Sequence, residues 1–477
     1  MQYKPNYESL KSHAVPDWYH DAKLGIFIHW GLYSVPGWAP PTGDLDKVVA
    51  EQGWEAWFKN NPYSEWYLNS LRFPDSPTRR YHSETYGEDF GYDGFVPMFE
   101  EAIQGWDPDE WAALFESIGA RYVVLVTKHH DGFTLWPTHQ PSPHKESYHT
   151  GRNLVGELTA SVRKRGMRMG LYYSGGLDWT FNSSVVRDLP SLYRTIPQEA
   201  EYVEYADAHW WELIERYAPS ILWNDIGYPA AANLPELFAY YYNSVPEGVI
   251  NDRFGQQAPT EVPSEGEVIG PTAAAHLDFK TPEYTFYTDI QETKWEVCRG
   301  VGHSFGYNRA ESPEDHIPIE ELIRLLVDVV SKNGNLLLNI GPMADGSIPD
   351  LQRERLEGLG QWLRANGEAI YGTRPWVRAE DVTGDGIRVR YTRKDDALYA
   401  ILLGTPPQRQ LAIKGLGASP DLTISLLGAE GKLDWSQDGD RLTVTLPSRL
   451  MESPAHALRL TPIPAPLAEQ RPYISLA

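Results

Sequence analysis

Carboxyl groups and imidazoles at the ends of short apolar runs are the residues here best placed to do chemistry. Asp225 follows a run ending in Trp223, and Gly227-Tyr228-Pro229 then turns the chain sharply away. A carboxylate held beside a large aromatic at a strand end can be aimed into a pocket, although a turn or N-cap aspartate competes as an explanation. Asp252 ends the next run, but its neighbour Arg253 would hold it ionised and suits it to structure. Glu283 in Thr281-Pro282-Glu283-Tyr284, Glu296 in Trp295-Glu296 and Glu65 in Ser64-Glu65-Trp66-Tyr67 all adjoin aromatics. Apolar contact raises a carboxyl pKa toward neutrality, as an acid catalyst requires, and sequence chemistry alone does not choose among the three. One ionised and one protonated carboxyl group facing a single bond are the equipment of glycoside cleavage.

The adjacent pair His129-His130 raises a metal reading, because zinc sites draw on histidines. No His-Glu-x-x-His occurs and Cys298 stands alone, so hydrogen bonding to sugar hydroxyls is the better reading of the pair. No phosphate-cradling P-loop appears. The expectation is an enzyme with no metal and no cofactor.

The elements that would position these groups follow from hydrophobic patterning. Leu24–Ile28, Tyr122–Val126, Met167–Tyr172, Ile221–Trp223, Gly248–Ile250 and Leu336–Ile340 are near-continuous apolar runs, suited to strands buried on both faces of a parallel sheet. Helical stretches lie between them. Asp107-Pro108 pairs an N-cap with a first-turn proline, and Trp111, Leu114, Phe115 and Ile118 mark one face before Gly119 stops it. Ile319, Leu322, Ile323, Leu326 and Val330 form another face, ahead of Gly334. Alternating β and α over residues 20–340 predicts a parallel α/β architecture. The first run leads into His29-Trp30-Gly31 rather than a Gly-x-Gly-x-x-Gly fingerprint, which argues against a dinucleotide-binding open sheet. Polar and aromatic residues stand at the ends of many different runs, where a barrel gathers its catalytic loops. The fold expected is a (β/α)8-like TIM barrel, with irregularity allowed, over residues 1–370. Short, partly alternating runs separated by Gly, Asp and Pro turns predict an all-β sandwich over 371–477.

Composition narrows the partners. The 477 residues carry 42 Lys and Arg against 65 Asp and Glu, a formal charge of −23, which disfavours binding to nucleic acid. The 17 Trp and 28 Tyr offer flat apolar faces with polar edges, suited to sugars. The N-terminus has no apolar h-region and no stretch approaches the length of a membrane span, so no membrane partner and a cytoplasmic location are expected if Met1 is the native start. A homo-oligomer is compatible with everything above.

Taken together, the motifs resemble the glycoside hydrolase family 29 α-L-fucosidases of bacterial type. The resemblance runs in order from about residue 15 to 375. It comprises Trp18-Tyr19 and Lys23–Gly31, Ser64-Glu65-Trp66-Tyr67, Lys128-His129-His130-Asp131-Gly132-Phe133, Tyr172-Tyr173-Ser174, Trp223-Asn224-Asp225, Asn251-Asp252-Arg253, Ser304–Asn308 and Asn335–Pro342. It implies a cofactor-free, retaining exo-α-L-fucosidase acting on a fucosylated oligosaccharide or glycoconjugate, with Asp225 as nucleophile. It implies Glu283 as acid/base, with Glu296 as runner-up, and carboxyl groups about 5–5.5 Å apart. His29, His129, His130, Tyr172, Trp223 and Arg253 would surround the sugar, Glu65 and Trp66 would lie on an adjoining loop, and Phe305 would line the pocket. The family often has Trp after Asn-Asp-Arg, whereas this chain has Phe254. A retaining glycosidase of other sugar specificity, a transfucosylase and a non-catalytic sugar-binding protein are the alternatives.

Overall fold

The computed structural model describes residues 2–43, 45–257 and 274–467. Seven strands, β1 (Leu24–Ile28), β2 (Tyr122–Lys128), β3 (Arg168–Tyr173), β4 (Ile221–Asn224), β5 (Val249–Ile250), β6 (Trp295–Gly300) and β7 (Gly334–Ile340), form one parallel sheet in the order β5-β4-β3-β2-β1-β7-β6. Each of the six expected runs falls on one of these strands. β6 was not foreseen, because Glu296 and Arg299 interrupt its apolar character.

Between the sheet's two edges, β5 and β6, residues 278–283 are held by isolated bridges. Asn251 bridges in parallel to Phe279, while Lys280 and Glu283 bridge in parallel to Trp295 and Cys298. The Asp278 N–H donates to the Ile250 carbonyl at 2.8 Å, and the Glu296 N–H donates to the Lys280 carbonyl at 2.8 Å. Residues 278–283 therefore serve as an eighth, irregular stave that completes a TIM-like barrel. Pro282 lacks an N–H to give to a ladder, one reason the stave is not a regular strand.

The period of two along each strand sorts the core into layers. Leu24, Ile26 and Ile28 of β1, Val123 and Leu125 of β2, and Leu336, Leu338 and Ile340 of β7 pack outward against the helices. Phe27, Val124, Tyr172, Trp223, Phe279, Cys298 and Leu337 point inward and fill the barrel. Gly25 occupies an inward position because any Cβ there would come within 2.3 Å of the Tyr122 ring. The helix Pro108–Ser117 starts as its sequence predicts, with Asp107 accepting from the Asp109 N–H at 2.8 Å.

The C-terminal part is built from antiparallel sheets. A five-stranded sheet orders Thr423–Leu426, His456–Thr461, Ala397–Leu402, Arg388–Lys394 and Arg374–Val382, and a three-stranded sheet orders Gln410–Lys414, Arg441–Thr445 and Trp435–Asp438. Val389, Leu398, Leu402, Leu411, Leu442 and Leu458 share the core between them, the arrangement of a sandwich. The other face of the larger sheet, with Tyr399 and Ile401, joins the barrel's outer core. There the Trp362 indole donates to the Ala455 carbonyl at 2.9 Å. The expected sandwich range ends at 477, and its last residues, 468–477, lie outside the described residues. No helix among the described residues is long and apolar enough to cross a membrane.

Candidate active site

Parallel packing brings the C-terminal ends of all the strands to one mouth of the barrel. His29 follows β1, His129 and His130 follow β2, Tyr172 lies near the end of β3, and Asp225 follows β4. Arg253 follows β5, Glu283 sits on the irregular stave, and Phe305 lies beyond β6. These residues, with Trp223, Glu65 and Trp66, line one hollow that opens to solvent.

Asp225 is 7% exposed and reaches that hollow. The Arg253 Nη1 group meets its Oδ1 at 2.8 Å, the Tyr172 hydroxyl donates to its Oδ2 at 2.8 Å, and the Ile226 N–H donates to Oδ1 at 3.0 Å. Burial works against the charge, but the guanidinium and the donated hydrogen bonds outweigh it and hold the carboxyl below the usual aspartate range. Arg253 also places Nη2 3.2 Å from Glu283 Oε2, so one guanidinium touches both acids. The arginine is itself anchored, with Nε donating to Thr281 Oγ1 at 2.9 Å and its guanidinium carbon 4.6 Å from the centroid of the Trp223 ring. Glu283 keeps 34% of its side chain accessible. Burial of its carboxyl and the neighbouring Asp225 charge raise its pKa above the usual glutamate value, against the pull of Arg253. Two acids in one hollow are thus pushed in opposite directions.

The backbone beside both acids is strained. Ile226 has φ +59° and Tyr284 has φ +52°, left-handed conformations unusual for residues with a Cβ and rarer still for a β-branched one. Such residues cost of order 1–3 kcal/mol each and persist where their surroundings over-determine them. The turn at Ile226 brings its own N–H onto the Asp225 carboxylate, which fixes the direction of that side chain.

The histidines form a neutral polar wall. Burial lowers the pKa of His29 to about 4 and of His130 to about 3, and drives His129 down as well. Ser174 donates its hydroxyl to the Leu177 carbonyl at 2.7 Å, so it must accept from His130 Nδ1 at 2.6 Å, which leaves His130 Nε2 as an acceptor. Asn339 similarly spends its Nδ2 on the Phe305 carbonyl and accepts from His29 Nδ1 at 2.6 Å. Glu65 is 3% exposed, accepts from the Gly306 N–H at 2.8 Å, and is pushed up to about 8 chiefly by burial. At neutral pH it is a carboxylic acid that can donate to a hydroxyl oxygen. Among the described residues no group of three His, Cys, Asp or Glu side chains is arranged to hold a metal ion.

Other residues singled out in the sequence lie elsewhere. Glu296 is fully buried in the barrel interior, where Tyr19 and Tyr122 donate to its Oε2 at 2.8 and 2.5 Å and the Trp223 indole donates to Oε1 at 3.1 Å. It does not line the hollow. Asp252 accepts from the Thr281 hydroxyl and N–H, at 2.5 and 3.1 Å, while Arg253 turns to Asp225 instead of its own neighbour. Phe254 points away from the hollow into the outer core, against Trp210, Tyr228 and Phe238. A Gly-x-Ser-x-Gly string, the form of a hydrolase elbow and one not expected from the sequence, is present as Gly302-His303-Ser304-Phe305-Gly306. Ser304 is buried, accepts from the Ser64 N–H at 2.9 Å and donates to Ser64 Oγ at 3.2 Å, with no imidazole among its partners.

Sequence reasoning also missed part of the lining: Phe27, Trp57, Phe58, Asn61, Tyr63, Ile226 and Cys298. The signal for the largest group was the aromatic density between Trp54 and Tyr67.

The α-L-fucosidase family model matches residues 1–368, and the α-L-fucosidase C-terminal domain model matches residues 382–461. Tissue α-L-fucosidase of Rattus norvegicus is 35% identical over 457 residues, covering 93% of this chain and 88% of its own, and that of Homo sapiens is 35% identical over 460 residues, covering 94% and 88%. The Thermotoga maritima α-fucosidase, solved in complex with a mechanism-based inhibitor, is 46% identical with a TM-score of 0.85, covering 96% of this chain and all of its own. A T. maritima α-L-fucosynthase, in complex with α-L-Fuc-(1-2)-β-L-Fuc-N3, is 46% identical with a TM-score of 0.86 over the same 96% and 100%. The chain belongs to the α-L-fucosidase family of glycoside hydrolases.

Proposed function

We propose that this chain removes terminal α-L-fucose from fucosylated oligosaccharides or glycoconjugates with net retention. Asp225 attacks C1 of the fucosyl unit while Glu283 gives its proton to the departing glycosidic oxygen. A fucosyl–Asp225 ester results. Glu283, now a carboxylate, takes a proton from water as that water attacks C1 and frees Asp225. The observation that carries this reading is the single guanidinium of Arg253 touching both acids, at 2.8 and 3.2 Å. It holds the two acids at one guanidinium, as a pair that acts on a single glycosidic bond requires. The depressed Asp225 and raised Glu283 match the charges that the first step needs.

The acid/base role goes to Glu283 rather than Glu296, because Glu296 is fully buried among the donors Tyr19, Tyr122 and Trp223. Fucose is a 6-deoxy sugar, so its methyl group calls for an apolar wall, which Trp223 and Phe305 supply. His29, His129, His130, Tyr172, Arg253 and the protonated Glu65 hold the ring hydroxyls, and Trp66 braces His130 from 5.1 Å.

Aryl glycosides test the reading. Turnover of aryl α-L-fucoside, with α-fucose as the first anomer seen by proton NMR, is expected. Release from the aryl galactoside or glucoside alone, or β-fucose as first product, would overturn it.

A further inference from the structure

A guanidinium that touches two acids can fail either of them by rotating, so what holds Arg253 matters as much as what it holds. Its Nη1 group goes to Asp225 Oδ1 at 2.8 Å and its Nη2 group to Glu283 Oε2 at 3.2 Å. The remaining edge of the fork meets one residue. Nε donates to Thr281 Oγ1 at 2.9 Å, and Nη2 also donates to the Thr281 carbonyl at 3.0 Å. Two oxygens of a single buried threonine therefore take the Nε–Nη2 edge much as a carboxylate would, which fixes the plane of the guanidinium as well as its position. Thr281 stands two residues before Glu283 on the irregular stave, so the same contact ties the stave to the arginine.

The hydrogen bonds of Thr281 run in one direction. Arg253 Nε can only donate, so Thr281 Oγ1 accepts there and its single proton goes elsewhere. It goes to Asp252 Oδ1 at 2.5 Å, and the same oxygen takes the Thr281 N–H at 3.1 Å. Asp252 thus turns the hydroxyl so that a lone pair faces the arginine, and the branched Cβ of threonine restricts the rotamers that would undo it. We propose that Thr281, oriented by Asp252, is the positioning residue that docks Arg253 on the stave and so keeps the nucleophile and the acid at one guanidinium. This rests on the fucosidase reading above and gives neither Thr281 nor Asp252 a contact with substrate.

A pH profile separates positioning from packing. The titratable groups that feel the Arg253 charge are Asp225, Glu283, Cys298, His29, Tyr172 and Tyr193. Arg253 favours the charged form of both acids, so loosening it raises both pKa values. Activity needs charged Asp225 and would be lost at a higher pH on the acidic side. It needs protonated Glu283 and would persist to a higher pH on the alkaline side. Arg253 also lowers the His29 value, so His29 would move the acidic limb in the same direction.

Thr281→Val deletes the hydroxyl at nearly constant volume, Thr281→Ala deletes it with a smaller side chain, and Thr281→Ser keeps it. On aryl α-L-fucoside, Thr281→Val and Thr281→Ala are each expected to lose about 10–100-fold in kcat/KM, the worth of a hydrogen bond to a charged group. Both limbs should rise by roughly half to one pH unit, a part of what a neighbouring opposite charge supplies. Thr281→Ser is expected to stay within a few-fold of wild type with both limbs in place. Limb positions do not depend on how much of the enzyme is folded, so a variant that folds poorly still reports. Unmoved limbs in Thr281→Val and Thr281→Ala, or a Thr281→Ser as impaired as Thr281→Val, would overturn the positioning role and leave the fucosidase reading standing. Wild-type protein inert toward the aryl fucoside would overturn the fucosidase reading itself, and this role with it.

Discussion

The two acids stand in differently built parts of one barrel. Asp225 follows a regular strand paired on both sides, is 7% exposed, and is gripped by Arg253, Tyr172 and its own chain at Ile226. Glu283 rides on a stave that pairs with its neighbours through isolated bridges, keeps a third of its side chain accessible, and has Arg253 as its one side-chain partner among the described residues. A nucleophile that must stay charged and aimed benefits from rigid donors. A group that gives up a proton and later takes one back must be stable in both forms, and a looser, partly solvated position serves that exchange. What the two corners share is a left-handed residue immediately after the acid.

Substitutions can break or sharpen this contrast. The largest effect is expected from Asp225→Gly, which removes the attacking atom and should lower kcat on aryl fucoside by on the order of 10³-fold or more. Added azide should restore turnover as the inverted β-fucosyl azide, identified by NMR. Glu283→Gln should cost about 10²–10⁴-fold on disaccharides but far less on fucosyl fluoride, whose departure needs little proton assistance. Equal losses on both substrates would move the acid role elsewhere.

Tyr172→Phe deletes one hydrogen bond to a charged carboxylate, of order 1.5–3 kcal/mol, so a loss of about 10–100-fold in kcat/KM is expected. Its pH profile carries a sign. Activity requires charged Asp225, and is lost as pH falls through the depressed pKa of that group. It requires protonated Glu283, and is lost as pH rises through the raised one. Removing the Tyr172 donor raises the Asp225 value, so the acidic limb should move to higher pH while the alkaline limb stays in place. Glu296→Gln places an amide NH2 among the Tyr19, Tyr122 and Trp223 donors, and should cost about 1–3 kcal/mol of stability with kcat changed only a few-fold, read by thermal melting beside the assay. The smallest effect is expected from Ile226→Gly, since glycine adopts φ +59° without strain. Stability should fall slightly, because the packing lost with the half-buried Ile226 side chain outweighs the strain relieved, while kcat drops a few-fold as the Asp225 corner loosens.

The same contrast explains what was legible in the sequence. β1, β2, β4 and β7 are apolar on both faces, so their runs, and the residues at their ends, could be read from hydrophobicity alone. His29, His130 and Asp225 stand out for that reason. The irregular stave reads Asp278-Phe279-Lys280-Thr281-Pro282-Glu283, with neither period nor continuous apolarity, so Glu283 could be named only through family resemblance. Glu296 looked equivalent because sequence shows the aromatic neighbour but not the direction of the side chain. Its inward register on β6 puts it beneath Trp223 instead of beside the hollow. Trp57 and Tyr63 escaped notice because an aromatic cluster in sequence reads equally well as core, and Trp57 is packed as core even where it borders the hollow.

The most direct test of the mechanism is to trap its intermediate. Incubation with 2-deoxy-2-fluoro-fucosyl fluoride, followed by digestion and peptide mass spectrometry, should find the fluorofucosyl group on Asp225 as time-dependent inactivation proceeds. A label on any other carboxylate, or inactivation with no covalent adduct, would contradict the account.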